Sequence, residues 1–322
     1  MDKQLSALQA TLNKTLDDLV LGEEPTKLYD PMHYILSLGG KRLRPLLALL
    51  SCGVYGAPER ALNQAIAIEL FHNFSLIHDD IMDNAPLRRG AVTVHEKWNT
   101  NIGILSGDGM LVKAYQYMAK ADPQYLAAVM EVFSQTALEV CEGQQMDMDF
   151  ETREEVSQAE YIQMIQFKTS VLLGCALKIG ALVGGASGSD SNLWYQFGLN
   201  LGTSFQIMDD YLDVYGDPEK FGKQVGGDIK SNKKTLLWIW SAQEAKRQGN
   251  DEFARIAGME GSDQKVAEMR NLYTALGTDN HAKTQMDHYY SKAMTALDQL
   301  SVAQEKLEST RAFADWLMNR EH

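Results

Sequence analysis

The sequence predicts an all-α protein, a single large helical bundle over residues 1–322, and three observations predict it. Apolar residues recur at intervals of three and four rather than two in nearly every segment. Only seven prolines interrupt the pattern, and no strand-like alternation bounded by turn dipeptides stands out. Forty-five per cent hydrophobic residues against 23% charged is an ordinary globular mixture that can bury a sizeable core.

The elements follow in order. Leu5, Leu8, Leu12, Leu16 and Leu19 mark an amphipathic first helix, which lacks the basic start and unbroken apolar run of a signal peptide. Further helical periodicity runs over about 59–84, 103–121, 124–142, 157–185, 190–216, 233–248 and 280–318, roughly ten or more helices in all. Short runs such as GAPE, ADPQ, GGASGSD and YGDPEKFGK supply the turns. No segment offers an unbroken apolar stretch long enough for a membrane span, so a soluble protein is expected. Cys52, Cys141 and Cys175 are odd in number, widely spaced and set in apolar helical patterns; they read as small buried hydrophobes of a reducing cytoplasm.

Thirty Lys+Arg against 43 Asp+Glu leave a net charge of −13 and argue against a nucleic-acid partner, whose phosphates are held by clustered cations. Within that acidity one near-repeat carries chemistry. SLIHDDIMD places Asp79, Asp80 and Asp83 at i, i+1 and i+4, and SFQIMDDYLD places Asp209, Asp210 and Asp213 at the same spacing. On a helix, i and i+4 share a face, so each cluster presents two carboxylates in one direction. The clusters lie inside apolar helices, where three like charges repel and call for compensation. Carboxylate oxygens suit Mg²⁺, which keeps waters and bridges to substrate phosphates, so the implied ligand is a diphosphate. Cations stand beside both clusters: Lys41, Arg42 and Arg44 after Gly39-Gly40, then Arg88-Arg89-Gly90, then Lys223, Lys230, Lys233 and Lys234 around Gly226-Gly227.

With these blocks in view, the chain resembles the trans-isoprenyl diphosphate synthases, or polyprenyl synthetases, over essentially its whole length. GGKRLRP is similar to that family's first block, DDIMDNAPLRRG to its first aspartate-rich motif and FQIMDDYLD to its second; EGQQMDMDF and FKTS resemble two further blocks. The resemblance implies an all-α homodimer with a central substrate cavity, in the cytoplasm. It implies that Asp79, Asp83 and Asp209 bind three Mg²⁺ ions, with Asp80, Asp210 and Asp213 lining or supporting the sites. It implies that Lys41, Arg44, His72 and Arg89 hold the diphosphate of isopentenyl diphosphate, and that Arg88, Lys168, Lys223 and Lys233 grip an allylic diphosphate of C5 to C15, with Thr169 and Gln206 lining the reaction site. Where the family commonly shows Gly-Lys-x-Thr-Leu-Pro, this chain has Asn232-Lys233-Lys234-Thr235-Leu236-Leu237, which leaves the choice between Lys233 and Lys234 open.

The chemistry so implied is ionisation of the allylic C–O bond, attack by the double bond of isopentenyl diphosphate and loss of a proton. Water must be kept from the cation, and the glycines of 217–235 suggest a lid. Phe74 lies five residues before Asp79, about 7.5 Å along a helix, and Phe71 lies eight before, about 12 Å. The resemblance implies a floor for the growing chain at Phe74, beside the small Ser75, and a C20 or C15 product, with a medium- or long-chain synthase as the alternative. A class I terpene cyclase would carry a different second metal motif, and a non-catalytic partner subunit of the same fold would be expected to have lost one triad.

Overall fold

The structure, a computed structural model, describes residues 3–217 and 225–319. It divides into two compact units, each built from separate stretches of chain: unit 1 comprises Met1–Ser134, Cys175–Tyr195 and Ser301–Ser309, and unit 2 comprises Gln135–Gly174, Gln196–Leu300 and Thr310–His322. In chain order the helices are α1 (Lys3–Asp17), α2 (Thr26–Ser37), α3 (Leu43–Tyr55), α4 (Leu62–Met82), α5 (Val94–Lys97), α6 (Thr100–Met118), α7 (Pro123–Thr152), α8 (Gln158–Ile165), α9 (Val171–Gly184), α10 (Gly188–Tyr215), α11 (Gly227–Lys230), α12 (Leu236–Gln248), α13 (Glu252–Ala257), α14 (Asp263–Ala275), α15 (Thr278–Asp298) and α16 (Glu308–Met318). The all-α expectation holds, with one small addition. Two-residue strands β1 (Leu87–Arg88) and β2 (Ala91–Val92) pair antiparallel across Arg89-Gly90, both at positive φ (55° and 78°), the backbone a tight two-residue hairpin requires.

In unit 1 the leucine stripe of α1 is buried at Leu5, Leu8, Leu12 and Leu16, with Leu12 fully inaccessible, whereas Leu19 lies beyond the helix end and is half-buried. Helix α4 is buried on nearly every side, from Gln64 through Leu70 to Ile77, so its sequence is apolar all round rather than on one stripe. Close approach of α6 to α4 depends on two glycines: a Cβ at Gly107 would come within 2.3 Å of His78 Nε2, and one at Gly103 within 2.9 Å of Ile81. Gly180 of α9 does the same against α3, where a Cβ would meet the Ala48 carbonyl at 2.0 Å. Asp190, Tyr55 and Trp194 form a buried chain of hydrogen bonds. The Tyr55 hydroxyl donates to Asp190 (3.0 Å), the Trp194 indole donates to Tyr55 (3.1 Å), and Ser301 N–H donates to the other oxygen of Asp190 (3.2 Å).

The core of unit 2 gathers Tyr161 and Ile165 of α8, Ile207 and Val214 of α10, Leu237 and Ile239 of α12, and Met269 and Tyr273 of α14. Between α8 and α9 the chain makes a π-turn over Gln166–Ser170. Gly143 of α7 lies against it so closely that a Cβ would fall 2.2 Å from Lys168 N.

Three expectations need correction. The periodicity over 280–318 is broken between α15 and α16, because the bend there carries no Gly or Pro to announce it. Cys52 and Cys175 are buried but Cys141 is exposed, its position falling on the outward side of α7. The continuous helical stretch Gln158–Gly184 is long and apolar enough on average to cross a membrane, because Gln163, Lys168 and Lys178 dilute it only slightly; 72% of its most apolar window is buried inside the protein, as in a core helix.

Candidate active site

In unit 1 the residues singled out above meet at the C-terminal half of α4 and the loop before α3. His72 is half-buried and its Nε2 lies 3.3 Å from Nη1 of Arg44. Because a guanidinium only donates, Nε2 must accept and therefore carries no proton. Burial, followed by the charges of Arg44, Arg89 and Arg88, holds the imidazole well below its ordinary pKa, which agrees with that hydrogen bond. Arg89 approaches from the hairpin turn. Its guanidinium lies where a side chain on Gly40 would be, 2.8 Å from that glycine's missing Cβ, and Gly40 at φ 136° is open to it. Lys41 is exposed at the same loop.

The sequence reading passed over Glu69, one turn before His72 on α4. It is 3% exposed and its Oε1 accepts from Asn73 Nδ2 (3.1 Å), while burial raises its pKa against the opposing charges of Arg44, Arg89 and Arg42. A carboxylate spaced three and four residues from His72 and Asn73 on an apolar helix was the available signal.

The hairpin sends Arg88 the other way. Its Nη2 and Nε both donate to Oδ1 of Asp80, at 2.6 and 3.0 Å, while Asp80 Oδ2 is buried with no hydrogen-bond partner in the protein. Asp79 is half-buried and Asp83 exposed, at the end of α4, where Asp83 N–H closes the last turn onto the Asp79 carbonyl (2.9 Å). Phe74 is 8% exposed, with its ring 5.5 Å from Phe71 and 4.7 Å from His78, and Phe71 rests on Phe133. Ser75, alongside, turns its hydroxyl back to the His72 carbonyl at 2.9 Å.

In unit 2, Lys168, Thr169, Gln206, Asp210 and Lys233 line one small cavity of about 60 Å³, together with Asp147, Tyr161 and Thr235. Widening of the helix at the π-turn presents Lys168 and Thr169 to this space. Lys168 Nζ donates to Asp147 Oδ2 at 2.5 Å, and the Tyr161 hydroxyl donates to Asp210 Oδ2. Asp210 is 7% exposed; burial and the nearby Asp228 push its carboxyl up to about 7, against the opposing pull of Lys233 and the Tyr161 hydrogen bond.

Asp147 and Tyr161 were not named from sequence, although Asp147 closes the GQQMD run that begins at Gly143. The structure also separates the two lysines left open. Lys233 faces the cavity with Asp210, whereas Lys234 lines a different groove beside Arg153 and Glu160 and donates to the Glu151 carbonyl at 3.4 Å. Asp213 accepts from Asp228 N–H (3.1 Å) and so anchors the start of α11, while Asp209 stands half-buried one residue before Asp210. Lys223 lies outside the described residues, as do the other residues of 218–224 within the 217–235 stretch expected to form a lid.

Whether these side chains fit a divalent ion is a question of donor chemistry. Among the described residues, no three His, Cys, Asp or Glu side chains are gathered to form a ready-made metal cage. Mg²⁺ does not require one, since it is commonly held by one or two carboxylates plus water and phosphate oxygens. The i, i+4 pair Asp79/Asp83 and the unpartnered Oδ2 of buried Asp80 supply oxygen donors of that kind, so the residues fit.

The family model described as Polyprenyl synthetase matches residues 25–276. The geranylgeranyl diphosphate synthase of Methanosarcina mazei is 38% identical over 314 residues, covering 97% of this chain and 95% of that protein. A crystal structure of a geranylgeranyl pyrophosphate synthase superposes with a TM-score of 0.93 at 46% identity and covers both chains completely. A polyprenyl synthase from Caulobacter crescentus CB15, solved with calcium and isoprenyl diphosphate, matches with a TM-score of 0.84 at 28% identity over 99% of this chain and 96% of its own. Members of this family use a divalent metal and take isopentenyl diphosphate and allylic diphosphates as substrates. The chain belongs to the polyprenyl synthetase family of prenyltransferases.

Proposed function

We propose that the chain is a short-chain trans-prenyltransferase that condenses isopentenyl diphosphate with allylic diphosphates of C5 to C15, giving geranylgeranyl diphosphate (C20) or farnesyl diphosphate (C15). One observation carries the reading: Lys168, Thr169, Gln206, Asp210 and Lys233, scattered over 66 residues, converge on a single cavity. It operates as one catalytic domain, as a homodimer and in the cytoplasm. Leu105 and Val112, one heptad apart and exposed on α6, offer an apolar face for the second copy.

The residues act by binding, orienting and excluding water. Arg44, Arg89 and Lys41 take the diphosphate of isopentenyl diphosphate, and neutral His72 steers Arg44 without adding a charge that would have to be desolvated. Arg88, Lys168, Lys223 and Lys233 hold the allylic diphosphate, with Asp79, Asp83 and Asp209 as ligands for three Mg²⁺ ions. When bound, those ions supply positive charge to the departing diphosphate. The allylic C–O bond breaks with its electron pair leaving on the diphosphate. The double bond of isopentenyl diphosphate then forms the new C–C bond, and one proton passes from its C2 position to the released diphosphate while the C–H electron pair becomes the new double bond. Orientation is the principal contribution of the chain, since cation and alkene must meet before water does. Phe74, backed by Phe71, forms the floor that ends elongation.

The experiment is incubation of purified protein with Mg²⁺, isopentenyl diphosphate and each of the C5, C10 and C15 allylic diphosphates, reading product length by chromatography. A C20 or C15 product is expected. Absence of product with every primer refutes the activity, and a chain longer than C20 refutes the short-chain assignment.

A further inference from the structure

Helix α1 has two stripes. Leu5, Leu8, Leu12 and Leu16 are buried, and Gln9, Asn13 and Asp17, spaced i, i+4 and i+8, form a polar row beside them. That polar row meets the loop that carries Lys41 and leads into Arg44. Nη1 of Arg42 donates to Asn13 Oδ1 at 3.0 Å, Nη2 of Arg42 reaches Asp17 Oδ1 at 3.4 Å, and Gln9 Nε2 donates to the Lys41 carbonyl at 3.4 Å.

Arg42 is itself in a costly conformation. It caps α3 at φ 48° and ψ 39°, the left-handed region that a residue with a Cβ avoids unless its surroundings fix it there. Gly39 (φ 67°) and Gly40 (φ 136°) precede it, so a run of unusual backbone turns Lys41 outward, opens Gly40 to the Arg89 guanidinium and starts α3 so that Arg44 meets His72. The side chain of Arg42 packs against α1, where it is 10% exposed.

We infer that Asn13 and Asp17 are positioning residues for the isopentenyl diphosphate site, clasping Arg42 so that the loop 39–42 is held in its left-handed conformation before substrate arrives. The inference rests on the function proposed above and adds to it a role for a helix that bears none of the family blocks quoted from the sequence. Asn13 carries most of the effect, because its bond is the shorter and Asp17 is 68% exposed, where an ion pair contributes little.

The test uses the full chain with Asn13→Ala and Asp17→Ala combined, Arg42→Ala, the triple variant, and the conservative Asn13→Asp. Steady-state kinetics are measured with each substrate varied in turn, and binding of isopentenyl diphosphate is measured by calorimetry. The double variant should raise KM and Kd for isopentenyl diphosphate about tenfold, while kcat and the KM of the allylic diphosphate stay within about twofold. Arg42→Ala should match it, the triple variant should add nothing further, and Asn13→Asp, which keeps an acceptor, should restore near wild-type values. An equal rise in both KM values, unchanged binding of isopentenyl diphosphate, or additive effects of the two sides of the clasp overturns the inference. Failure of the wild-type protein to turn over strikes the proposed reaction alone, since the calorimetric comparison still decides the clasp; failure of wild-type to bind isopentenyl diphosphate overturns both.

Discussion

His72 should impose a measurable acid sensitivity on the fold. Its Nε2 accepts from Arg44 while the charges of Arg44, Arg89 and Arg88 and its own burial oppose protonation, so its folded-state pKa is depressed well below 6.5. A depressed base works against the native state as pH falls, because the unfolded chain takes up a proton that the native protein refuses. Two buried carboxylates, Glu69 and Asp80, temper the arginines. While the native state takes up no proton, each pH unit below 6.5 lowers its stability by at most about 1.4 kcal/mol. His72→Gln keeps an acceptor for Arg44 but does not titrate, so it removes the slope. Urea unfolding of both proteins at about pH 7.5 and about pH 5 should show the wild type losing more stability than the variant over that interval, by at most about 2 kcal/mol. Every other group titrates in both proteins and cancels from the difference. Parallel stability profiles would show that His72 takes up its proton freely, and the neutral-acceptor geometry with Arg44 would be wrong.

Four further outcomes follow from the same sites. Arg88→Ala leaves the 1% exposed carboxylate of Asp80 with neither oxygen partnered and should cost about 3–5 kcal/mol of unfolding free energy, whereas Asp80→Asn leaves a guanidinium that can still reach water and should cost about 1–2 kcal/mol; denaturation giving equal or reversed costs refutes the pairing. Phe74→Ala should lengthen the product by at least one isoprene unit, until Phe71 and Phe133 stop it, and chromatography showing an unchanged chain length places the floor elsewhere. Asp79→Ala and Asp209→Ala should each lower turnover by at least about a thousandfold with circular dichroism unchanged; a near-normal rate in either removes that residue from the metal ligands. Lys265→Met should destabilise by about 1–2 kcal/mol, because the buried ammonium donates to the carbonyls of Ala257 and Met259 at 3.1 and 3.0 Å and Met259 would lose its donor, while Ala257 keeps the Asn232 amide at 3.1 Å; unfolding within about 0.5 kcal/mol of wild type refutes that.

Helix existence was legible because a 3.6-residue period is written directly in side chains, and the observed bounds of α6 and α10 fall within three residues of the expected ones. Both aspartate clusters were legible for the same reason: i, i+4 carboxylates on an apolar helix contradict the core pattern and so stand out. What sequence could not supply was partnership between remote residues. Arg88 and Arg89 are adjacent and chemically identical, yet one turns to Asp80 and the other to Gly40, because a two-residue hairpin separates them. Lys233 and Lys234 part in the same way where the chain leaves the α11 turn. Glu69, Asp147 and Tyr161 were passed over because each lies within an ordinary helical pattern, and only the fold shows what it holds.

Strain marks the site more sharply than charge does. Among the described residues, four non-glycine positions have positive φ: Arg42 (48°), Asn84 (49°), Arg89 (55°) and Asn232 (56°). Each disfavoured conformation of this kind costs of order 1 kcal/mol or more and persists only where the surroundings over-determine it. None of the four falls in an ordinary connection. Arg42 lies inside GGKRLRP, Asn84 follows Asp83, Arg89 is the turn of the hairpin, and Asn232 immediately precedes Lys233. Asn tolerates the left-handed region through its short polar side chain, but arginine has no such excuse, and the two arginines are the pair whose backbone sets the loop and hairpin around His72. Helical periodicity builds the frame, and at the points where the frame must hand a cation to a diphosphate the backbone leaves its comfortable regions. That is why the clasp on Arg42 matters: a strained cap without its α1 partners would relax toward ordinary helix-start geometry, and Lys41 and Arg44 would move with it.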